Sequence, residues 1–168
     1  MSPQRESNIM IQTRPQQGFS LIEALIALVV LSVGLVGLAG LLVQGIKTNH
    51  NAYLRTQAVL LSSDIAERML ANPAGLHNGD YNDINTASEN ADPGCVTTNR
   101  GCDPAQMARY DAYAWGRALS SALPAGVGTV TGAGSGSVFN ITVSWSETGH
   151  DAGNPSPTIT SFTTSFQP

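Results

Sequence analysis

The sequence predicts an α+β protein: one long N-terminal helix, apolar in its first half and amphipathic in its second, packed on a small antiparallel sheet. Three observations predict it. No charged residue falls between Ala24 and Ile46. Leu54, Ala58, Leu61, Ile65 and Met69 recur at helical spacing. Phe139, Ile141, Val143 and Trp145 alternate with polar residues, as in a strand with one buried face.

The apolar run from Leu21 to Val43 is long enough for a bilayer, which needs about 20 residues. Its glycines at 34, 37 and 40 repeat every third residue and serve either close helix contact or nothing beyond tolerance of Gly in lipid. A secretory signal peptide fits poorly, because the polar leader is long and the apolar run exceeds the usual roughly 7–15 residues. A plain uncleaved anchor fits the length but leaves Glu23 without a role. Glu23 stands near the start of this run with no basic neighbour, where an unpaired carboxylate is costly.

Beyond Gly45 the chain turns polar at Lys47–Asn51 and then amphipathic. Asp64 and Arg68 are spaced to pair on the outer side of the Leu54–Met69 stripe, a surface contact of small value. Asn72-Pro73-Ala74-Gly75 stops the helix. A single helix from Phe19 to Ala71 would be about 80 Å long, too long for a compact globule of this size, so its first half belongs to a membrane or an assembly. The glycines and Lys47–Asn51 are candidate bend or melting points.

From Gly75 to Gly101 the chain is rich in Asn, Asp, Gly and Ser, and reads as a long surface loop with a functional face. Cys95 and Cys102 enclose six residues: the wrong gap for a redox Cys-x-x-Cys, and too few ligands for structural zinc. A local disulfide is expected if this half lies outside the cytoplasm, with free buried thiols as the alternative. Asp103-Pro104 starts a short helix that ends near Leu123–Gly126, with Met107, Tyr110 or Asp111, Ala114, Ala118 and Leu119 on its apolar face. Tyr113 and Trp115 are expected to pack inward, the alternative being a carbohydrate or protein contact. Val127–Val130 is a brief strand, Glu147–Pro157 a turn, and Thr158–Phe166 a last strand with Phe162 and Phe166 inward beside Thr160 and Thr164.

The chain of 168 residues carries eight Lys plus Arg and a net charge of −4, which argues against nucleic acid. His50, His77 and His150 are scattered, and no phosphate loop or zinc-protease motif is present. Gly132–Gly136 lacks a Walker lysine. Asp80, Asp83, Asp92 and Asp103 lack EF-hand spacing, so solvated loop residues are the simpler reading than a cation site. No catalytic residue, metal or cofactor is expected, and the chain is not read as an enzyme.

The stretch Gly18-Phe19-Ser20-Leu21-Ile22-Glu23, followed by the apolar run, resembles the signal of type IV prepilins and type II secretion pseudopilins. Leu60–Pro73, LLSSDIAERMLANP, is similar to the close of the long helix in PilV-like minor pilins. The resemblance implies a type IV pilin-like fold, with a leader at 1–18, a transmembrane and assembly helix at 19–46, an amphipathic helix at 47–72 and a periplasmic α+β headpiece at 73–168. It implies that a prepilin peptidase cuts between Gly18 and Phe19 and methylates the amine of Phe19. Glu23, fifth from the new N-terminus, would then pair with that amine on a neighbouring copy, against the plainer reading that it sits at the headgroup level. The leader has Gln16-Gln17 where many such leaders place Lys or Arg, and Met1 and Met10 are both candidate starts. The implied function is a minor pilin in initiation, assembly or tip formation of a type IV pilus, serving adhesion or twitching motility. Its partners would be other minor pilins, the major pilin and an inner-membrane assembly platform. The alternatives are a minor pseudopilin of type II secretion and a membrane-anchored periplasmic binding domain using Tyr110–Trp115 or the Asp-rich loop.

Overall fold

The computed structural model describes residues 18–88, 91–134, 136–147 and 157–168. Leader residues 1–17, with Arg14 and Met10, lie outside the described residues, as do 148–156 with His150. The chain divides into two units between Gly45 and Ile46.

Residues 18–20 are non-helical and lead into α1, Leu21–Ala71. In the first unit α1 is apolar around its whole circumference and exposed throughout, Leu21 at 85% and Val36 at 74%. It is long and apolar enough to cross a membrane. An all-round apolar helix is suited to lipid or to an assembly rather than to one side of a globular core. The anticipated bend or melting points do not interrupt it: Gly34, Gly37, Gly40, Gly45 and Lys47–Asn51 are all α-helical. A methyl group added at any of these four glycines would meet nothing within 4 Å, so nothing inside one chain requires their smallness.

In the second unit α1 buries Leu54, Ala58, Ser62, Ile65 and Met69. The stripe is as expected except at one position, where Ser62 is buried and Leu61 only partly so. Ser62 is tolerated there because its hydroxyl donates to the Val59 carbonyl at 2.8 Å. Asn72 ends α1 and also starts a helix, α2 (Pro73–Asn78), its side-chain oxygen accepting from the Gly75 N–H at 3.2 Å, with Pro73 in the first turn. Thus Asn-Pro is a corner between helices as well as a stop.

The expected surface loop is only partly a loop. It contains α2, a short strand β1 (Asp83–Asn85) and a 3₁₀ turn at Cys95–Thr97, and it sends Leu76, Tyr81 and Ile84 into the core. α3 (Pro104–Ala122) opens with a reciprocal cap: Asp103 Oδ1 accepts from the Gln106 N–H at 2.7 Å, and Gln106 Oε1 accepts from the Asp103 N–H at 3.1 Å. Its buried face is Ala108, Asp111, Ala112, Trp115 and Leu119. Met107, Ala114 and Ala118, expected on that face, are only partly buried, because the bulky Trp115 and Leu119 set which way the helix turns.

β2 (Val127–Thr131), β3 (Phe139–Glu147) and β4 (Thr158–Phe166) follow, and the sheet order β1-β2-β3-β4 is antiparallel throughout. Phe139, Ile141, Val143 and Trp145 are fully buried on one face, as the alternation predicts. They join Leu54, Ile65, Met69, Trp115 and Leu119 in one hydrophobic cluster, with Phe162 and Phe166 partly buried against it. Gly128 and Gly132 allow this closeness: a Cβ at Gly128 would collide with the Trp115 ring, and one at Gly132 with the Phe139 ring.

Candidate processing and assembly site

Gly18 and Phe19 lie in the non-helical backbone immediately before α1, with Phe19 85% exposed. The Gly18–Phe19 bond is therefore non-helical and exposed, as at accessible sites of proteolysis. The Glu23 and Ala24 N–H groups donate to the Ser20 carbonyl at 3.1 and 3.2 Å, which fixes the helix start one turn beyond that bond. Glu23 is exposed in the first turn of α1. Among the described residues no cation lies within ion-pair distance of it. The arrangement offers an exposed Gly-Phe bond, a carboxylate one turn on, and an apolar helix behind them.

Cys95 and Cys102 form a disulfide, with Cys95 buried. Among the described residues no cluster of His, Cys, Asp and Glu converges as a metal site. Asp103 caps α3 and Asp92 accepts from the Gly94 N–H at 2.8 Å, so two of the four loop aspartates have local structural partners. Asp80 Oδ2 and Asn82 Oδ1 are buried without a hydrogen bond among the described atoms. His50 and His77 are exposed. Trp115 is completely buried and donates its indole N–H to the Leu61 carbonyl at 2.9 Å, which removes it from any carbohydrate-binding role. Tyr113 instead lines an open cavity of about 210 Å³ with Thr86, Gly116, Arg117 and Val127.

The most organised polar group in the headpiece centres on Asp111, which the sequence offers on the α3 apolar face as the alternative to Tyr110 but without a partner. Asp111 is buried on α3 and accepts from the Tyr81 hydroxyl at 2.6 Å. Tyr81 in turn accepts from Asn72 Nδ2 at 3.0 Å, and the same amide donates to the Pro104 carbonyl at 2.9 Å. Arg68 lies 3.0 Å from Asp64 and 3.5 Å from Asp111. The Asp64–Arg68 pair therefore exists as spaced, but Arg68 is no purely solvated side chain, since it also faces a buried carboxylate. Burial opposes its charge, but Asp64 and Asp111 outweigh that and raise its pKa above the ordinary value. Burial, reinforced by the bond to Asp111 and opposed by the Asn72 donor, pushes the Tyr81 phenol well above its usual 10.0. The knot ties together the end of α1, the corner at Asn72, the segment before β1, and α3. The one available signal was an aspartate at 111 in phase with Ala108, Ala112 and Trp115.

A membrane-compatible helix that continues into an antiparallel α+β headpiece, preceded by an open Gly-Phe bond, defines a type IV pilin-like protein. Residues 40–113 match the family model described as Type IV pilin Tt1218, and residues 13–39 match the prokaryotic N-terminal methylation motif. Both matches support a type IV pilin, a family that is structural and not enzymatic. Neither a curated protein nor a solved structure matches it.

Proposed function

We propose that this pilin is a minor, PilV-like subunit acting in initiation, assembly or tip formation of a type IV pilus, and so in adhesion or twitching motility. The observation that carries the proposal is the open Gly18–Phe19 bond one turn ahead of Glu23, at the head of an exposed apolar helix. In this reading residues 1–18 are the leader, 19–46 the transmembrane and assembly helix, 47–72 the amphipathic helix and 73–168 the headpiece. Prepilin peptidase cuts after Gly18 and the Phe19 amine is methylated. Glu23 of one copy meets the Phe19 amine of its neighbour, and the cost of an unpaired carboxylate in an apolar bundle selects one axial register. Before assembly the chain sits in the bacterial inner membrane with its headpiece in the periplasm, a compartment in which the Cys95–Cys102 disulfide is stable. Its partners are other minor pilins, the major pilin and the inner-membrane platform, and its copy number in the fibre is low. The similarity of Leu60–Pro73 to PilV-like pilins supports the minor subtype.

The test is mass spectrometry of the N-terminus after expression with and without a prepilin peptidase. A mature chain beginning with methylated Phe19 is expected. An intact Gly18–Phe19 bond beside an active peptidase defeats the proposal. Deleting the gene then separates the machines: lost piliation or twitching marks the pilus, and lost protein secretion with normal pili marks a pseudopilin.

A further inference from the structure

Trp115 turns inward, but Tyr113 lines the open cavity of about 210 Å³ between α3, the turn after β1 and the start of β2. The cavity walls are mostly apolar, with Ala87, Gly116 and Val127 among them. One wall is fixed in place: the Thr86 N–H donates to the Gly128 carbonyl at 3.0 Å, and Thr86 Oγ1 accepts from the Gly128 N–H at 2.9 Å. Three polar groups stand on these walls. Arg117 is exposed, and among the described residues no carboxylate lies within ion-pair distance of it. Ser120 Oγ donates to the Arg117 carbonyl at 3.0 Å, which leaves its oxygen to accept. The Tyr113 hydroxyl has no hydrogen bond among the described residues, and its ring lies 6.4 Å from that of Tyr110. The charges of α3 are Arg109, Asp111 and Arg117, and Asp111 is buried against Tyr81. The exposed side of this helix is therefore positive on a chain of net charge −4, and no acidic residue lines the cavity.

We propose that this cavity binds a carboxylate carried on a single polyhydroxy ring, a uronic acid being the simplest case. Charge complementarity selects the carboxylate. One unpaired guanidinium matches one carboxylate, which it can grip through two parallel N–H bonds. A phosphate dianion would keep half of its charge unmatched there. The volume selects a single ring, since it falls below the roughly 300–1,000 Å³ of sites for drug-sized ligands. Apolar walls suit the C–H face of such a ring. Its hydroxyls meet the Ser120 oxygen and the Tyr113 hydroxyl, two partners that a plain aromatic acid would leave unused. A nucleotide fits worse on both counts, having a larger ring system and a phosphate. The Thr86–Gly128 bonds hold the wall before any ligand arrives, so little ordering is lost on binding. Use of the site in adhesion rests on the pilin reading, but the site itself does not.

Ligand-observed NMR titration of the full chain in detergent micelles with galacturonate tests this. Saturable binding is expected, in the millimolar range for so small a ligand. Galactose, the neutral counterpart of that ring, should bind at least about tenfold more weakly. Arg117→Gln should weaken galacturonate binding by roughly tenfold or more. Arg109→Gln removes an equal charge from an exposed site on the same helix outside the cavity, and should change binding by less than about twofold. Ala87→Leu fills the cavity from an exposed position and should abolish binding. Melting curves verify that each variant is folded. A galacturonate trimer that binds as well as the free acid assigns the terminal unit of an acidic polysaccharide as the source, and a trimer that does not bind assigns the free acid. No binding of galacturonate, equal binding of galactose, or equal losses in Arg117→Gln and Arg109→Gln overturns the proposal. Displacement of galacturonate by equimolar inorganic phosphate or a single-stranded oligonucleotide overturns it too. Peptidase processing is scored separately by mass spectrometry, so failure of the pilin reading leaves this result readable.

Discussion

The Tyr81 hydroxyl donates a 2.6 Å hydrogen bond to Asp111 Oδ2 inside the headpiece, while its oxygen accepts from Asn72 at 3.0 Å. One phenol thus links the end of α1 to α3 across a stretch with little regular structure of its own. Tyr81→Phe keeps the ring and its packing but leaves a buried carboxylate oxygen and an amide each short of a partner. The expected cost is about 1–3 kcal/mol. Urea unfolding should show a lower midpoint with an unchanged slope. Asp64→Ala, which removes only the partly exposed partner of Arg68, should cost under about 1 kcal/mol.

The same bond makes stability depend on pH in a definite direction. The folded-state pKa of Tyr81 is raised above its ordinary 10.0, so the folded headpiece holds that proton more tightly than the unfolded chain. The stabilisation is complete below the unfolded value and is lost as pH rises from about 10 toward the folded value. Wild-type stability should fall above pH 10 relative to Tyr81→Phe, by up to about 1.4 kcal/mol per pH unit. Unfolding free energies of both proteins across that range test it, and parallel curves would refute it.

The helix, the strand faces and the processing motif were legible because each is written in a repeated or contiguous pattern. Phe139 to Trp145 alternate without exception, and all four apolar residues are fully buried. The stripe on α1 slipped only at Ser62, whose hydroxyl is satisfied by its own helix and so carries no warning in composition. The Gly75–Gly101 stretch misled because Leu76, Tyr81 and Ile84, which it sends into the main core cluster, are spread among Asn, Asp and Gly with no period to connect them. The partners of Asp111 were hidden for a related reason. A buried carboxylate looks like a surface one until its donors, Tyr81 and Arg68, arrive from distant parts of the chain.

Gly128 sits where β2 passes beneath the Trp115 ring, and an added methyl would collide with that ring and with Leu119. Trp115 cannot retreat easily, because it is fully buried and its indole is bonded to the Leu61 carbonyl. Gly128→Ala should therefore destabilise the headpiece by about 1–3 kcal/mol through overpacking. A lowered melting temperature with altered tryptophan fluorescence would show it. Gly101→Ala supplies a different control: its space is open but its φ of 69° is left-handed, so its smaller loss comes from the backbone alone.

The Cys95–Cys102 disulfide closes a loop of six intervening residues, and by chain entropy such a loop contributes about 2–3 kcal/mol. Where the loss falls after reduction follows from the neighbouring contacts. α3 starts immediately after the loop, but its first turn is held by Asp103 and Gln106 acting on each other. The Tyr81–Asp111 bond and the Trp115–Leu61 bond lie outside the loop as well. Reduction should therefore lower the unfolding free energy by this amount without dissolving the native core. Hydrogen exchange should quicken at 95–102 while the amides of α3 and β3 stay protected, and native-state tryptophan fluorescence should not change. Exposure of Trp115 or loss of protection in α3 on reduction would mean that the loop holds the helix in place, contrary to the self-contained cap at Asp103.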